Sequence, residues 1–311
     1  MSDALKHPAV ERLLKSPAIR RTLDLLASDL PGADATSVLL DAMAQRSANL
    51  GAADVLAQYR RDRFVAPAAV DPIRVARLQL HALEFLTPDF VPVETSPLAP
   101  LGTHSVVAGV HQNNVVSTVR MTEVAADPTN QLALEAAVRR RQQLSDNVRS
   151  GELVRLCSVD RVVRAQLFAD ARSFAHFSLL GLLVGGRDRG SGRFEAGALA
   201  EILAGLTGFV TEATGLRSQI ALSDFDGGFH AVLDEVSERL GTGRVRCSID
   251  HDRELGRGYY TNVCFKLSVE ADGELLEVGD GGSVDWATAL CQDKKERLLI
   301  GGLSLERLAL I

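Results

Sequence analysis

Residues 259–280, YYTNVCFKLSVEADGELLEVGD, hold two alternating apolar runs separated by the short ADGE turn at 271–274. Runs joined so tightly pair as an antiparallel hairpin, because a parallel return needs a crossover of a dozen or more residues. The same texture predicts further strands in HSVVAGV, NVVSTVRM, GELVRLCS, FAHFSLLGLLVGG, RSQIALSDF, RVRCSID and ERLLIGG. Helical periodicity in this part of the chain is confined to residues near 129–145, 195–214, 228–240 and 303–311. Strands outnumber the helices between them. The expected fold is therefore α+β, an antiparallel or mixed sheet flanked by helices, and not a regular βαβ winding.

Ahead of the sheet the pattern is helical. AVERLLKS, IRRTLDLLASDL and TSVLLDAMAQRSANLGAADVLAQYRRDRF place apolar residues three and four apart, with capping chemistry for the third segment at Asp34 to Ser37. VAPAAVDP then breaks the period with two prolines, which divides the chain into an N-terminal helical region, 1–66, and a main domain, 67–311. Asp71-Pro72 is a cap followed by proline at the first helical position and opens one amphipathic helix, IRVARLQLHALEFL. DFVPVETSPL follows as a strand ending at Pro97.

Charge and cysteine usage exclude several classes. With 34 basic and 40 acidic residues the formal charge is −6, which gives no global footprint for nucleic acid, and RRR at 139–141 reads as a solvated helix face. Cys157, Cys247, Cys264 and Cys291 are widely spaced without C-x-x-C and read as reduced thiols. The N-terminus lacks a signal-peptide core and no 18-residue apolar run occurs, so the expected location is the cytoplasm, away from membranes.

Familiar site patterns are mostly missing. GGRDRGSG at 185–192 has no lysine where a P-loop needs one and reads as a surface turn. His251, between Asp250 and Asp252, reads as a hydrogen-bonded surface cluster, and no metal is expected there. No G-x-S-x-G elbow marks a serine hydrolase. What remains is arginines in strands. Arg155 lies in ELVRLCS on the face of Leu153 and Cys157, where a charge needs a partner; Arg161 and Arg164 follow, and His176 and Phe177 open the returning strand. A guanidinium with a nearby aromatic ring suits a phosphate and a base, although this hairpin alone is better explained by a salt-bridged arginine and a core phenylalanine. A second arginine, Arg307, follows Glu306 in GGLSLERL, where Gly301-Gly302 allows close approach of a backbone or ligand. The strings GTHS, HQNN and DPTN suit a small polar ligand, and turns and caps explain them equally well.

In their order, these pieces resemble the catalytic core of class II aminoacyl-tRNA synthetases, specifically the histidyl branch and its paralogues, over roughly residues 71–311. DPIRVARLQLHALEFLTPDFVPVETSPL is similar to motif 1, VRLCSVDRVVRAQLFADARSFAHF to motif 2 and GGLSLERL to motif 3. GRGYYTNVCFKL and GDGGSVD resemble the two histidyl-branch segments between them. The resemblance implies a homodimer and a site for ATP with Mg²⁺. In it Arg155 matches the α-phosphate arginine, Phe177 the adenine-stacking ring, and Arg307, beside Glu306, the γ-phosphate arginine. A carboxylic or amino acid would lie near Thr129, Tyr259, Tyr260 and Thr261, with Arg161, Arg164 and His176 holding pyrophosphate or a second acidic group.

The departures from the family are equally specific. Cys157 stands where motif 2 has a glutamate, Thr129 where the family grips the substrate amine, Leu255 where an arginine reads histidine, and Ser304 where motif 3 has its last glycine. Gly-Gly-Arg-Tyr-Asp has become Gly281, Gly282, Ser283, Val284 and Asp285. Histidine is not the expected substrate. The chain closes at Ile311, without the anticodon-binding domain of histidyl synthetases, so tRNA is not the expected acceptor. The resemblance thus implies an ATP-dependent adenylating ligase for an amino acid or other small carboxylate, with a non-tRNA acceptor such as a protein. The alternative is a non-catalytic binding paralogue serving a partner enzyme, like the regulatory subunit of ATP phosphoribosyltransferase.

Overall fold

A computed structural model of the protein describes residues 8–166, 174–241, 243–271 and 273–311. The chain forms two compact units, residues up to Asp62 together with Ser117–Thr122, and Arg63–Val116 together with Glu123–Ile311.

Among the described residues the first unit carries four α-helices: α1 (Pro8–Leu13), α2 (Pro17–Asp24), α3 (Gly32–Ala48) and α4 (Ala52–Arg61). Helix α2 runs on into a π turn at Leu25–Asp29. The long third segment is interrupted. Asn49 ends α3, and Gly51 opens α4 by donating its N–H to the Asp54 carboxylate at 2.9 Å. Asp34 falls inside the first turn of α3, not before it, where its charge complements the exposed N–H groups.

The second unit begins with α5 (Pro72–Leu86), and here the capping expectation holds: Asp71 Oδ1 accepts from the N–H groups of Ile73 at 2.9 Å and Arg74 at 3.4 Å. Val75, Leu78, Ala82 and Leu86, three and four apart, form its buried stripe. Asp71→Ala is expected to destabilise this unit by about 1 kcal/mol, read as a lowered denaturant midpoint at unchanged slope.

The strands after α5 are β1 (Val91–Pro92), β2 (Leu98–Pro100) and β3 (Thr122–Val124), followed by α6 (Pro128–Asp146). Then come β4 (Val154–Val163), β5 (His176–Arg187), α7 (Arg193–Thr214), β6 (Ser218–Asp224), α8 (His230–Leu240) and β7 (Val245–Ile249). The chain ends with β8 (Val263–Ala271), β9 (Glu274–Val284), α9 (Trp286–Cys291), β10 (Glu296–Ser304) and α10 (Leu305–Ala309). Eight strands make one sheet in the order β1-β4-β5-β10-β9-β8-β6-β7, antiparallel except at its two edges, where β1 runs parallel to β4 and β7 to β6. The hairpin that opened the sequence argument is β8–β9, with Ala271 paired to Glu274; its turn residue Asp272 lies outside the described residues.

Two expected strands are absent. HSVVAGV forms a π turn at Thr103–Val107, and NVVSTVRM follows a 3₁₀ turn at Gln112–Asn114. The cause is polar. The buried carboxylate of Glu123 accepts from the N–H groups of Gly102 at 3.3 Å and His104 at 2.8 Å and from the Gln112 amide at 3.0 Å, winding the loop around itself. These bonds also hold the Glu123 carboxyl below the usual carboxylate range, outweighing its burial. DFVPVETSPL shortens to β1 and β2 because its remaining residues form no ladder.

Each strand has two faces. Leu180, Leu182 and Val184 of β5, Leu299 and Leu303 of β10, and Phe265 and Leu267 of β8 pack with α5, α7, α8 and α10. Leu156, Leu183, Leu298 and Ile300 point the other way, into a second cluster with Leu132, Ala133 and Ala136 of α6 and Trp286 of α9. Helix α7, 22 residues, is long and apolar enough by length and composition to cross a membrane, but its Leu199, Ile202, Leu203, Leu206 and Phe209 lie fully buried in the first cluster.

RRR at 139–141 is not a solvated face throughout. Arg140 on α6 is 2% exposed and grips Glu296, 0% exposed, through two bonds of 2.7 and 3.0 Å. Its remaining donors reach the Gln143 side chain and the carbonyls of Ser150 and Glu152. Its neighbours behave as the charge run predicted: Arg139 pairs with Glu135 one turn back, and Arg141 is exposed, donating to the Leu290 carbonyl at 2.5 Å.

Candidate ligand cavity

Strands β4 and β5 pair so that Val162 lies opposite Phe177 and Arg155 opposite Val184. Since side chains alternate between faces, the even positions of β4 share one face with Phe177, and the odd positions face α5 and α7. That parity separates the arginines. Arg164 comes to the side of Phe177, its guanidinium 5.2 Å from the ring centroid. Arg155 turns the opposite way and forms a two-point ion pair with Glu201 of α7 at 2.6 and 2.9 Å. This pair, the largest influence on Arg155, raises its pKa.

On the Phe177 side, β5, β9 and β10 floor a cavity of about 460 Å³. Arg164, Phe177, Thr129, Tyr260, Glu306 and Arg307 all line it, together with Leu255 and Ser304. Gln166, two residues after Arg164, lines it as well. Thr129 enters at the start of α6, where Asp127 caps the helix, accepting from the Thr129 N–H at 2.9 Å and its hydroxyl at 2.7 Å. Arg307 reaches the cavity from α10 and donates to the Glu277 carbonyl at 2.6 Å. Ser304 replaces the expected glycine for a local reason. It is the N-cap of α10, its hydroxyl accepting from the Arg307 N–H at 3.4 Å.

Several expected site residues lie elsewhere. Arg155 is on the opposite face, and Cys157 is buried in the apolar cluster there, which pushes its thiol up to about 11. Arg161 donates to Glu306 at 3.2 Å and to His176 Nδ1 at 2.6 Å, and the His176 Nε2–H donates to the Ala66 carbonyl at 2.7 Å. These two residues therefore fasten the linker and α10 to β5 and do not line the cavity. Tyr259 packs edge-on against Trp286 and Tyr260 behind the wall, and Thr261 is held by its N–H on Ser283 at 2.8 Å. Glu306 touches the cavity but is 1% exposed and already holds the Ser178 N–H at 2.5 Å; burial raises its pKa. The polar strings prove to be caps and turns: His111 Nδ1 accepts from the Asn113 N–H, and His104 is buried between Asn130 and the Ala126 N–H. The middle of the motif 2 resemblance, residues 167–173, lies outside the described residues.

Sequence reasoning missed the acidic lining. Asp127, Glu277 and Asp280 join Glu306 around the cavity. Asp127 pairs with Arg164 at 3.2 Å and Glu277 with Lys266 at 3.2 Å. Asp280 receives the Tyr260 hydroxyl, and burial raises the pKa of both groups. Behind it lies Arg253, whose side chain is 3% exposed, with Nε on the Leu255 carbonyl at 2.9 Å and Nη2 3.8 Å from Asp280. Its Nη1 is buried without a hydrogen-bond partner among the described residues. Leu255 thus takes the place expected of an arginine, while Arg253, two residues earlier, brings a guanidinium to Tyr260 at 6.0 Å.

No family model matches the chain, and no curated protein matches it. Solved structures do resemble it. The chain is similar to apo histidyl-tRNA synthetase of S. aureus at 17% identity and TM-score 0.58, over 78% of this chain and 67% of that one. It is similar to an ATP phosphoribosyltransferase regulatory subunit/histidyl-tRNA synthetase from Bacillus halodurans at 15% identity and TM-score 0.56, over 78% and 82%. It is also similar to a histidine–tRNA ligase subunit of Alicyclobacillus acidocaldarius at 14% identity and TM-score 0.55, over 78% and 94%. The eight-stranded sheet with its flanking helices is a class II aminoacyl-tRNA synthetase-like fold, of the form shared by histidyl-tRNA synthetase and the regulatory-subunit paralogue.

Proposed function

We propose that the cavity is a small-molecule binding site and that the chain serves as a binding or regulatory module on this fold, in place of an adenylating ligase. The observation that carries the reading is Arg155, the expected phosphate clamp, locked to Glu201 on the far face of the sheet. A triphosphate in the cavity would meet four carboxylates, Asp127, Glu277, Asp280 and Glu306. Among the described residues, the two guanidiniums there already hold protein groups, Arg164 on Asp127 and the Ala126 carbonyl, Arg307 on the Glu277 carbonyl. Like charges in a partly desolvated site repel, so these carboxylates disfavour a triphosphate without a bridging cation, and no adenylation step is derived from them. A module of this kind acts by binding its ligand better in one conformation or assembly than in another. One structural neighbour, an ATP phosphoribosyltransferase regulatory subunit/histidyl-tRNA synthetase, offers a functional parallel to that role.

A second reading, an ATP-dependent ligase activating an amino acid or other carboxylate, is favoured by one observation: Arg164 lies over Phe177 in the same cavity as Arg307. Calorimetric titration with Mg²⁺-ATP separates the two, using the wild-type chain, Arg164→Ala and Arg307→Ala. The expected result is no binding tighter than millimolar and no ATP–pyrophosphate exchange with any amino acid. Micromolar binding weakened in both variants, or exchange, overturns the binding-module reading in favour of the ligase.

A further inference from the structure

We infer that the cavity takes a ligand with a cationic nitrogen, a protonated amine or a guanidinium, which seats on Asp280. The inference rests on reading the cavity as a small-molecule site. It comes from comparing the four carboxylates that line the cavity. Asp127 has Arg164 at 3.2 Å, Glu277 has Lys266 at 3.2 Å, and Glu306 has Arg161 at 3.2 Å together with the Ser178 N–H. Asp280 alone has no base within hydrogen-bond reach among the described residues: Arg253 stands 3.8 Å away, and Arg164, whose charge acts on it more strongly, is held by Asp127 and the Ala126 carbonyl. Arg253 does not close that gap. Its Nε is committed to the Leu255 carbonyl, and its buried Nη1 has no partner among the described residues, so the guanidinium is not drawn onto the carboxylate.

The Asp280 carboxylate accepts up to about four hydrogen bonds, of which the protein supplies the Tyr260 hydroxyl. Its side chain is enclosed by protein yet remains 48% accessible, because it opens onto the cavity. A partly desolvated carboxylate with unfilled acceptor sites binds a cation more strongly than it binds a neutral hydroxyl. Gly302, beside it on β10, has no side chain, which keeps the approach clear. Phe177 with Leu179, on the β5 side of the same floor, gives such a ligand an apolar surface for its carbon skeleton.

The test is calorimetric titration of the full chain with n-butylamine, n-butylguanidine and putrescine, each beside a neutral counterpart that has no basic nitrogen: n-butanol, n-butylurea and 1,4-butanediol. At least one cationic probe is expected to bind, with its counterpart about tenfold weaker or more. Asp280→Asn, which keeps the shape of the side chain, should weaken that probe by a similar factor, its fold checked by a melting curve without ligand. Equal binding of charged and neutral probes, no binding by any cationic probe, or wild-type affinity in a folded Asp280→Asn overturns the inference. The probe series on the wild-type chain decides the matter even where the variant does not fold. Neutral probes binding as well as charged ones would sink this inference alone, whereas Arg164- and Arg307-dependent binding of Mg²⁺-ATP would sink the functional reading beneath it.

Discussion

Arg140→Ala is expected to lower the stability of the second unit by about 3–5 kcal/mol, a fall in Tm of roughly 6–15 °C in a melting experiment. The size follows from what the substitution leaves behind. Glu296 is 0% exposed and would keep a buried charge, its other basic neighbour being Arg187 at 3.5 Å. The carbonyls of Ser150 and Glu152 would lose their donors at the same time. The double variant Arg140→Met with Glu296→Leu removes both charges and is expected to recover more than half of the loss. It will not recover all of it, because the two carbonyls stay unpaired. A double variant no more stable than Arg140→Ala would show that the loss comes from the carbonyls and packing and not from the stranded carboxylate.

The second large effect is a contrast between adjacent positions. Gly301→Leu and Gly302→Leu make the same chemical change on the same strand, with opposite expected outcomes. A Cβ at Gly301 would come within 2.6 Å of Ile202 and 3.2 Å of Leu206 and Phe265, beneath α7, where neither helix nor strand can give way. Overpacking of that kind costs about 1–3 kcal/mol for a small excess and more for a whole leucine, so Gly301→Leu should express as unfolded or strongly destabilised protein. A Cβ at Gly302 meets nothing closer than 3.9 Å and points into the cavity. Gly302→Leu should therefore melt within a few degrees of wild type while binding no ligand there. If Gly302→Leu binds the probes as wild type does, the cavity is not the site.

That pair also shows how far the sequence could be read. Gly301-Gly302 signals close approach of either a backbone or a ligand, and each glycine turns out to serve one of the two, because alternation sends them to opposite faces of β10. The hairpin around 271–274, the Asp71-Pro72 helix start and the four later helices were legible because each rests on local chemistry: a two-residue turn, a cap, a period. The loop between Pro97 and Ala125 was not, since its path is set by Glu123, a carboxylate that collects N–H groups from residues up to 21 positions away. RRR misled for the same reason, as Glu296 lies 156 residues from Arg140.

For the candidate site, the residue types were right and the face was wrong. Arg155 and Arg164 differ by an odd number of positions, so they cannot share a side of a regular strand. Phe177 was the anchor that could have decided between them, through its partner Val162. The acidic members of the site carried no motif. Asp280 becomes conspicuous only when its neighbours are seen to have bases at 3.2 Å and it does not.

The place of β10 governs how fast this sheet can form. It lies between β5 and β9, so the group β1-β4-β5 and the group β9-β8-β6-β7 meet only through it, and its pairing with β5 joins residues more than a hundred positions apart. Closing so long a loop before the contacts repay its entropy makes refolding slow, on the milliseconds-to-seconds scale of high-contact-order sheets. Until β10 docks, β5 and β9 each present a bare edge of unpaired N–H and C=O groups, a ready template for pairing with another chain. Refolding yield should therefore fall with rising protein concentration, and a chain cut before Glu296 should aggregate even though every residue of the other seven strands remains.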